Sequence, residues 1–145
     1  MGSKNKQEED LVGVTAYPGR EIPRRYLNLV RSRWVRSYKR GNGYMKIVHP
    51  PAYYFSYNPY VNSILNRPDT VVRIAALEED DDVVLGFSVV ERNILHYVHV
   101  PKDYRRQGIG AMLTPSGLDW FTHLTEVGMK LWSMKMPNLK FNCFL

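Results

Sequence analysis

The chain has a single cysteine and no long apolar run. Because Cys143 is alone among the 145 residues, it can form neither an internal disulfide nor a cysteine-based zinc site. No stretch approaches the roughly 18 apolar residues of a membrane span. The polar start MGSKNKQEED lacks the apolar core of a signal peptide. We therefore expect a protein with no bound metal and no membrane contact, in a reducing, cytoplasmic setting.

Charge is unevenly distributed along the chain. The formal net charge of +6 favours anionic partners such as nucleic acid, acidic protein or a phosphorylated cofactor. Eight basic residues lie between Arg20 and Arg40, whereas acidic residues cluster at 78–82. Both runs are typical of solvated surface. The basic segment 24–40 could also bind nucleic acid, although no helix-turn-helix, zinc or RNA-binding signature accompanies it.

The first half of the chain has a helical pattern. Residues 1–20 are mostly polar and end at Pro18-Gly19, so we predict a flexible arm ahead of a single domain over 21–145. Apolar residues at three- and four-residue steps predict a helix from Pro23 to about Arg40. Three prolines in 49–60 indicate irregular structure there, with only a short helix afterwards, at about 58–66.

The second half begins with alternating apolar residues, which predict three antiparallel strands. These cover 70–77, 83–91 and 94–100. A helix is predicted from Gly108, with a kink or early end at Thr114-Pro115, where proline removes a helical hydrogen bond. We expect the later segments to form a second helix at about 118–127, a strand at 129–136 and a short edge strand within 141–145.

The segment Arg105-Arg-Gln-Gly-Ile-Gly110 joins the third strand to the next helix. Two glycines one residue apart allow bare backbone to approach a ligand closely. The helix start directs unpaired amides and the positive end of its dipole at that place, which attracts phosphate. The spacing is neither that of a Walker A loop nor the dinucleotide G-x-G-x-x-G pattern. The segment therefore predicts a phosphate-binding turn of another kind.

The stretch from Val100 to Leu113 resembles the acyl-CoA-binding segment of the GNAT superfamily of N-acyltransferases, Arg/Gln-x-x-Gly-x-Gly/Ala. Arg105, Gly108 and Gly110 match its three defining positions, and the order of predicted elements agrees over roughly residues 22–136. The resemblance implies an α+β, GNAT-like fold, with N-terminal helices packed on a central mixed, mostly antiparallel sheet. Only nine residues follow Met136, so a shortened C-terminus is expected.

The resemblance also implies a function and a cofactor. An acyl-CoA-dependent N-acyltransferase would move an acyl group, most simply from acetyl-CoA, to an amine of a protein or small molecule within a ternary complex. Backbone amides would bind the pyrophosphate, the third strand would separate from the next one to admit the pantetheine arm, and a free amide near Val100 would stabilise the oxyanion. The implied cofactor-binding residues are Val98, Val100, Arg105, Arg106, Gln107, Gly108, Ile109, Gly110 and Ala111.

Acid–base residues are less clear, because transfer needs both a base for the amine and an acid for the leaving thiolate. The family often uses a glutamate as base, and Glu91, His96 and His99 are the candidates here. Strand alternation places the two histidines on opposite faces, so only one would face the cofactor, and either could simply hydrogen-bond within the sheet. The family's acid is often a tyrosine after the fifth strand, where this chain has none. Tyr97, a tyrosine of 53–60, or water would have to replace it.

Three segments look more loosely like small GNAT-like proteins encoded by bacteriophages: SRWVRSY, NSILNRPDTVVRIAAL and ILHYVHVPKDYRRQGIG. That resemblance implies a viral protein in the host cytoplasm or in the virion. It leaves open a catalytically inactive assembly protein of a phage particle, whose C-terminal edge with Phe141 and Phe144 pairs with another chain, including a second copy. A nucleic-acid-associated protein that uses the basic helix is a further alternative.

Overall fold

The computed structural model describes residues 11–129 and 136–145, and its centre is one six-stranded sheet in the order β1-β2-β3-β4-β5-β6. The first four strands form an antiparallel meander, whereas β4–β5 and β5–β6 are parallel. Their bounds are β1 Val12–Pro18, β2 Thr70–Leu77, β3 Val84–Glu91, β4 Ile94–His99, β5 Trp120–Phe121 and β6 Lys140–Phe141. The predicted α+β architecture and its three-stranded meander are confirmed.

Strand β1 corrects the prediction of an arm reaching residue 20. It pairs with β2 from Val12 opposite Leu77 to Pro18 opposite Val71, so the folded part of the chain begins before residue 21. Its valine-, threonine- and tyrosine-rich sequence favours a strand. Pro18 is compatible with the edge position, where no further strand needs its missing amide hydrogen.

Two helices cover one face of the sheet. Helix α1, Arg24–Gly41, buries Tyr26, Val30, Trp34, Val35 and Tyr38, as its predicted period requires. Helix α2, Pro50–Leu65, is longer than predicted, and the irregular segment expected at its start is absent. Pro50 and Pro51 occupy the first turn, where a backbone N–H would have no helical acceptor, so they favour helix initiation there.

Within residues 11–129 and 136–145, the opposite face carries one short helix, α3, Ile109–Leu113. Ile109 and Leu113 are buried against Ala75 and Leu85 of the sheet. The helix ends at Thr114, so the early end predicted from Pro115 is confirmed. No helix in the described part of the chain is long and apolar enough to cross a membrane.

The segment after α3 differs from its prediction. The helix expected at about 118–127 is wrong, since Trp120 and Phe121 form β5 and helical geometry begins only at Glu126. Aromatic and β-branched residues pack well on a pleated surface, and parallel pairing with β4 satisfies their backbone. The strand expected at 129–136 lies largely outside the described residues. Of the edge strand expected within 141–145, only Phe141 lies in a strand, as part of β6.

Candidate active site

Strands β4 and β5 separate after a short paired region. They pair only at Ile94 with Trp120 and Leu95 with Phe121, and the last hydrogen bond between their backbones runs from Thr122 N to Leu95 O at 3.2 Å. A cavity of about 60 Å³ lies beyond that point. It is lined by β4 from Leu95 to Val98 and by Phe121, His123, Leu124, Thr125, Gly128, Met136 and Leu139. This volume holds a few water molecules, so a pantetheine arm would require the strands to move further apart.

The loop after β4 has an open surface. After one 3-10 turn at Lys102–Tyr104, Arg106 and Gly108 adopt positive φ angles of 65° and 79°. A side chain rarely tolerates the second of these angles, which explains the glycine. A Cβ added at Gly108 or Gly110 would meet nothing within 4 Å. The space above the loop is therefore free for a ligand.

The backbone amides of this loop have no hydrogen-bond partner in the part of the chain that the structure describes. Within the described chain, no backbone carbonyl accepts a hydrogen bond from the amides of residues 106–111, and the first helical bond runs from Met112 N to Gly108 O at 3.1 Å. Successive unpaired amides around left-handed residues form the type of concavity that binds anions. The exposed guanidinium groups of Arg105 and Arg106 add positive charge beside it.

The sheet holds the loop in place from below. Arg105 Nε donates to Val100 O at 2.9 Å, and Ser88 Oγ donates to Leu113 O at 2.7 Å. Gly86 of β3 permits a close approach, because a Cβ there would lie 2.8 Å from His99 O. Val100 itself lies beyond the paired part of β4, and its amide donates to no backbone carbonyl of the described chain. The loop geometry is thus set before any ligand binds.

Glu91 lies at the far end of β4 from this loop, opposite Ile94. Its Oε1 accepts from Arg67 Nη1 and from His96 Nε2, each at 2.9 Å. Burial alone would raise the pKa of Glu91, but the hydrogen bonds from His96 and Arg67 lower it below its usual value. Glu91 is therefore an ionised carboxylate that is already engaged within the protein.

His96 is buried at a β-bulge. Val89 faces Tyr97 and Val90 faces Leu95, so His96 is the extra residue of β4, and the strict alternation assumed from the sequence is interrupted there. Its Nδ1 lies 2.9 Å from Thr122 Oγ1, and burial lowers the pKa of the imidazole. Both ring nitrogens are hydrogen-bonded, which matches the alternative of a histidine satisfied within the sheet.

His99 and Tyr97 occupy different surroundings. His99 is half-buried beside Val100, and its ring centroid lies 5.7 Å from that of Phe87. Burial, together with the nearby charge of Arg33, lowers the pKa of His99 to about 4. Tyr97 is buried, stacks on Trp34 at 5.4 Å and has its hydroxyl 2.7 Å from Ser37 Oγ. Burial raises the pKa of Tyr97 to about 12, so it is a neutral phenol. Of the four candidates, only His99 adjoins the loop.

His123 was missed by the sequence analysis, which placed it in a helix. It directly follows Thr122, is only 9% exposed and has Nδ1 at 2.8 Å from Thr122 Oγ1. Its Nε2 is buried and has no hydrogen-bond partner among the described residues. Five rings, which we call the aromatic cage, surround it at centroid distances from 4.8 to 5.9 Å: Trp34, Tyr38, Tyr57, Tyr60 and Tyr97.

The basic segment is partly neutralised within the chain. Arg25 forms ion pairs with Asp81 at 3.0 Å and Asp82 at 2.7 Å, joining the basic and acidic runs predicted from sequence. Lys39 donates to backbone carbonyls of the loop at 45–48. Side-chain hydrogen bonds to other groups of the chain are also made by Arg20, Arg31 and Arg33. Several of these basic side chains therefore already bind other groups of the protein.

An antiparallel meander that leads through a glycine-containing turn into a helix, beside a separating parallel strand pair, is characteristic of the GNAT-like fold. No family model matches the sequence, and no curated protein matches it. Solved structures do match. A Pyrococcus furiosus protein assigned as an acetyl transferase aligns with a TM-score of 0.54 and 15% identity, over 70% of this chain and 69% of that one. At this identity the likeness establishes the fold.

Two other solved structures align less closely. A ribosomal-protein-alanine N-acetyltransferase from Brucella melitensis biovar Abortus 2308 has a TM-score of 0.47 and 14% identity, over 85% of this chain and 89% of its own. An aminoglycoside acetyltransferase from an uncultured soil metagenomic sample, solved with sisomicin, has a TM-score of 0.47 and 16% identity. That alignment covers 88% of this chain and 86% of its own.

Proposed function

We propose that this protein is an acyl-CoA-dependent N-acyltransferase that moves an acetyl group from acetyl-CoA to an amine. The observation that carries the proposal is the run of unpaired amides at residues 106–111, which opens beside the separated ends of β4 and β5. Its place within a GNAT-like fold supports the proposal.

The loop residues fit the phosphate groups of such a cofactor. Unpaired amides and two arginines suit the charge of a pyrophosphate, and the open space over Gly108 and Gly110 lets it approach the backbone. Amides from Arg106 to Ala111 would donate to it, while Val98 and Val100 would line the path of the pantetheine arm. When bound, the cofactor supplies an acyl group activated as a thioester.

The residues around the thioester would stabilise charge and protonate the leaving group. The Val100 amide lies outside the β4 ladder and would donate to the oxyanion formed when the amine attacks. Tyr97 and the other tyrosines of the aromatic cage with raised pKa values remain protonated at neutral pH, as a thiolate acid must be. His99, neutral and half-buried beside Val100, would lie near the same atoms.

A pair of glycine substitutions tests cofactor binding. We expect wild-type protein to bind acetyl-CoA by calorimetry and Gly110→Leu to weaken binding at least tenfold, which corresponds to about 1.4 kcal/mol. The added side chain fits the empty protein but fills the space of the pyrophosphate. Gly43→Leu is the matched control, since a Cβ there also meets nothing within 4 Å. Equal affinity of both variants, or no binding by wild type, would remove the proposal.

A non-catalytic assembly protein is a second candidate function, and one observation favours it. Phe141, within the edge strand β6, is 44% exposed and Phe144, just after it, is 92% exposed, so another chain could cover them. Acetyl-CoA binding without thiol release across a panel of amines would support this second function. A bacteriophage origin, a place in the virion, DNA binding and self-association remain predictions.

A further inference from the structure

We propose that His123 accepts the proton of the acceptor amine and passes it along a hydrogen-bonded chain through Thr122 and His96 to Glu91. The inference deepens the proposed function and rests on it. "The relay" below means these four residues, whose successive contacts measure 2.8, 2.9 and 2.9 Å.

The donor and acceptor capacities of the four groups fix the direction of the hydrogen bonds in the relay. Ionised Glu91 can only accept, so His96 Nε2 carries a hydrogen and its Nδ1 is an acceptor. Thr122 Oγ1 lies 2.9 Å from His96 Nδ1 and 3.4 Å from His96 O, and its single hydroxyl hydrogen goes to the nearer acceptor, Nδ1. His123 must in turn donate from Nδ1 to Thr122 Oγ1. This leaves His123 Nε2 with a bare lone pair.

That lone pair is the unusual feature of the site. Buried polar atoms almost always have a partner, and an unpaired one is costly. His123 Nε2 has none among the described residues, although His123 also lines the cavity between β4 and β5. Tyr97 of the aromatic cage lines the same cavity, and an aromatic ring can attract an ammonium ion. The site therefore suits a cationic amine that delivers a proton to Nε2.

The proton transfers balance along the relay. His123 Nε2 takes a proton from the substrate ammonium, which becomes a neutral amine with a free electron pair. His123 then releases its Nδ1 proton to Thr122, the Thr122 hydroxyl proton moves to His96 Nδ1, and the His96 Nε2 proton moves to Glu91. The net result is a neutral amine and a protonated carboxyl group, with both histidines neutral in the opposite tautomers.

The groups around His123 explain why the proton does not remain on its imidazole. Burial lowers the pKa of His123 to about 3, so the imidazolium is not a stable resting place. Among the described residues, the titratable groups facing it are His96 and the four tyrosines of the aromatic cage. None of these groups carries a negative charge at neutral pH that could balance an imidazolium. The Glu91 side chain is 7% exposed and adjoins Arg67 and Arg92, whose side chains are 32% and 69% exposed, so its end of the relay lies near the protein surface.

The first test needs no activity. In wild-type protein with ¹⁵N-labelled histidine, long-range ¹⁵N–¹H spectra at pH 7 should show hydrogen on Nδ1 of His123 and on Nε2 of His96. Hydrogen on His123 Nε2 would overturn the proposal. This outcome is independent of cofactor binding, so a failed acetyl-CoA titration would remove the proposed function without deciding the tautomers.

The second test uses variants that keep the fold. His123→Asn retains a donor to Thr122 but removes the proton acceptor. We expect unchanged acetyl-CoA affinity and amine-dependent thiol release lowered about 100-fold at pH 7, within the usual contribution of a general base. Because deprotonated amine bypasses the base, that loss should shrink as pH rises. A rate and pH profile like those of wild type would contradict the role of His123.

Thr122 gives a matched pair of variants. Thr122→Val keeps the shape but removes the hydroxyl, and it should lower the rate at least tenfold. Thr122→Ser restores the hydroxyl and should recover most of that loss. Equal rates for Val and Ser would show that Thr122 acts only through packing, and the relay would be abandoned.

Discussion

Replacing Trp34 with alanine is expected to lower the free energy of unfolding by about 3–5 kcal/mol, the usual cost of truncating a large buried aromatic side chain. Trp34 is fully buried and joins α1 to the sheet by stacking on Tyr97 at 5.4 Å. It also contacts His123 edge-on at 5.2 Å. Its removal leaves a cavity where helix, sheet and aromatic cage meet.

Urea unfolding of wild type and variant at pH 7.5 measures this change. Phe55→Ala is the control, because Phe55 is 84% exposed and substitutions at such surface positions usually stay within about 0.5 kcal/mol. A loss below about 1 kcal/mol at Trp34 would mean that α1 does not pack on the sheet as described.

Acidification from pH 7 to pH 5 is expected to cost on the order of 2 kcal/mol of stability for each of His99 and His123. Their folded pKa values, about 4 and about 3, lie below the ordinary value of 6.5. The unfolded chain therefore binds protons that the folded chain excludes. Their contribution is fully present above pH 6.5 and decreases as pH falls below it. His96 and, at lower pH, Glu91 act in the same direction.

Free energies of unfolding measured at half-unit steps between pH 7.5 and 5 give the slope of stability against pH directly. His123→Phe should reduce the slope by the equivalent of about one bound proton, since one buried titrating group is lost. Phe55→Ala is the control, because Phe55 is 84% exposed and carries no titratable group. It should leave the slope unchanged. A wild-type curve that is flat between pH 7 and 5 would contradict the burial of these histidines.

The parts of the fold that follow from local pattern were predicted correctly. Helix α1 and the strands β2, β3 and β4 each carry a clear hydrophobic period, and Pro115 marks where α3 ends. The elements that depend on context were not. Strand β1 exists because β2 pairs with it, and β5 because β4 does. Helix α2 shows that two prolines in the first turn can begin a helix, although prolines in this segment predict irregular structure.

The candidate site likewise has one part that local sequence predicts and another part that depends on tertiary context. The loop from Arg105 to Ala111 is recognisable in sequence because glycine spacing and a following helix set its geometry locally. The bulge at His96 depends on the register between β3 and β4, which alternation alone does not give. The surroundings of the His123 side chain depend on that bulge, on β5 and on aromatic rings from both helices. Its position could be found only once these elements had been brought together.

The central claim, that the loop at residues 106–111 binds acyl-CoA phosphates, is tested most directly by following backbone amides during an acetyl-CoA titration. In ¹⁵N–¹H spectra of wild-type protein, we expect the largest shifts at these amides, with further shifts along β4 from Leu95 to Val100. The acidic turn at 78–82 should stay unchanged. Saturating acetyl-CoA that leaves the loop amides unshifted, or that shifts another surface instead, would contradict this account.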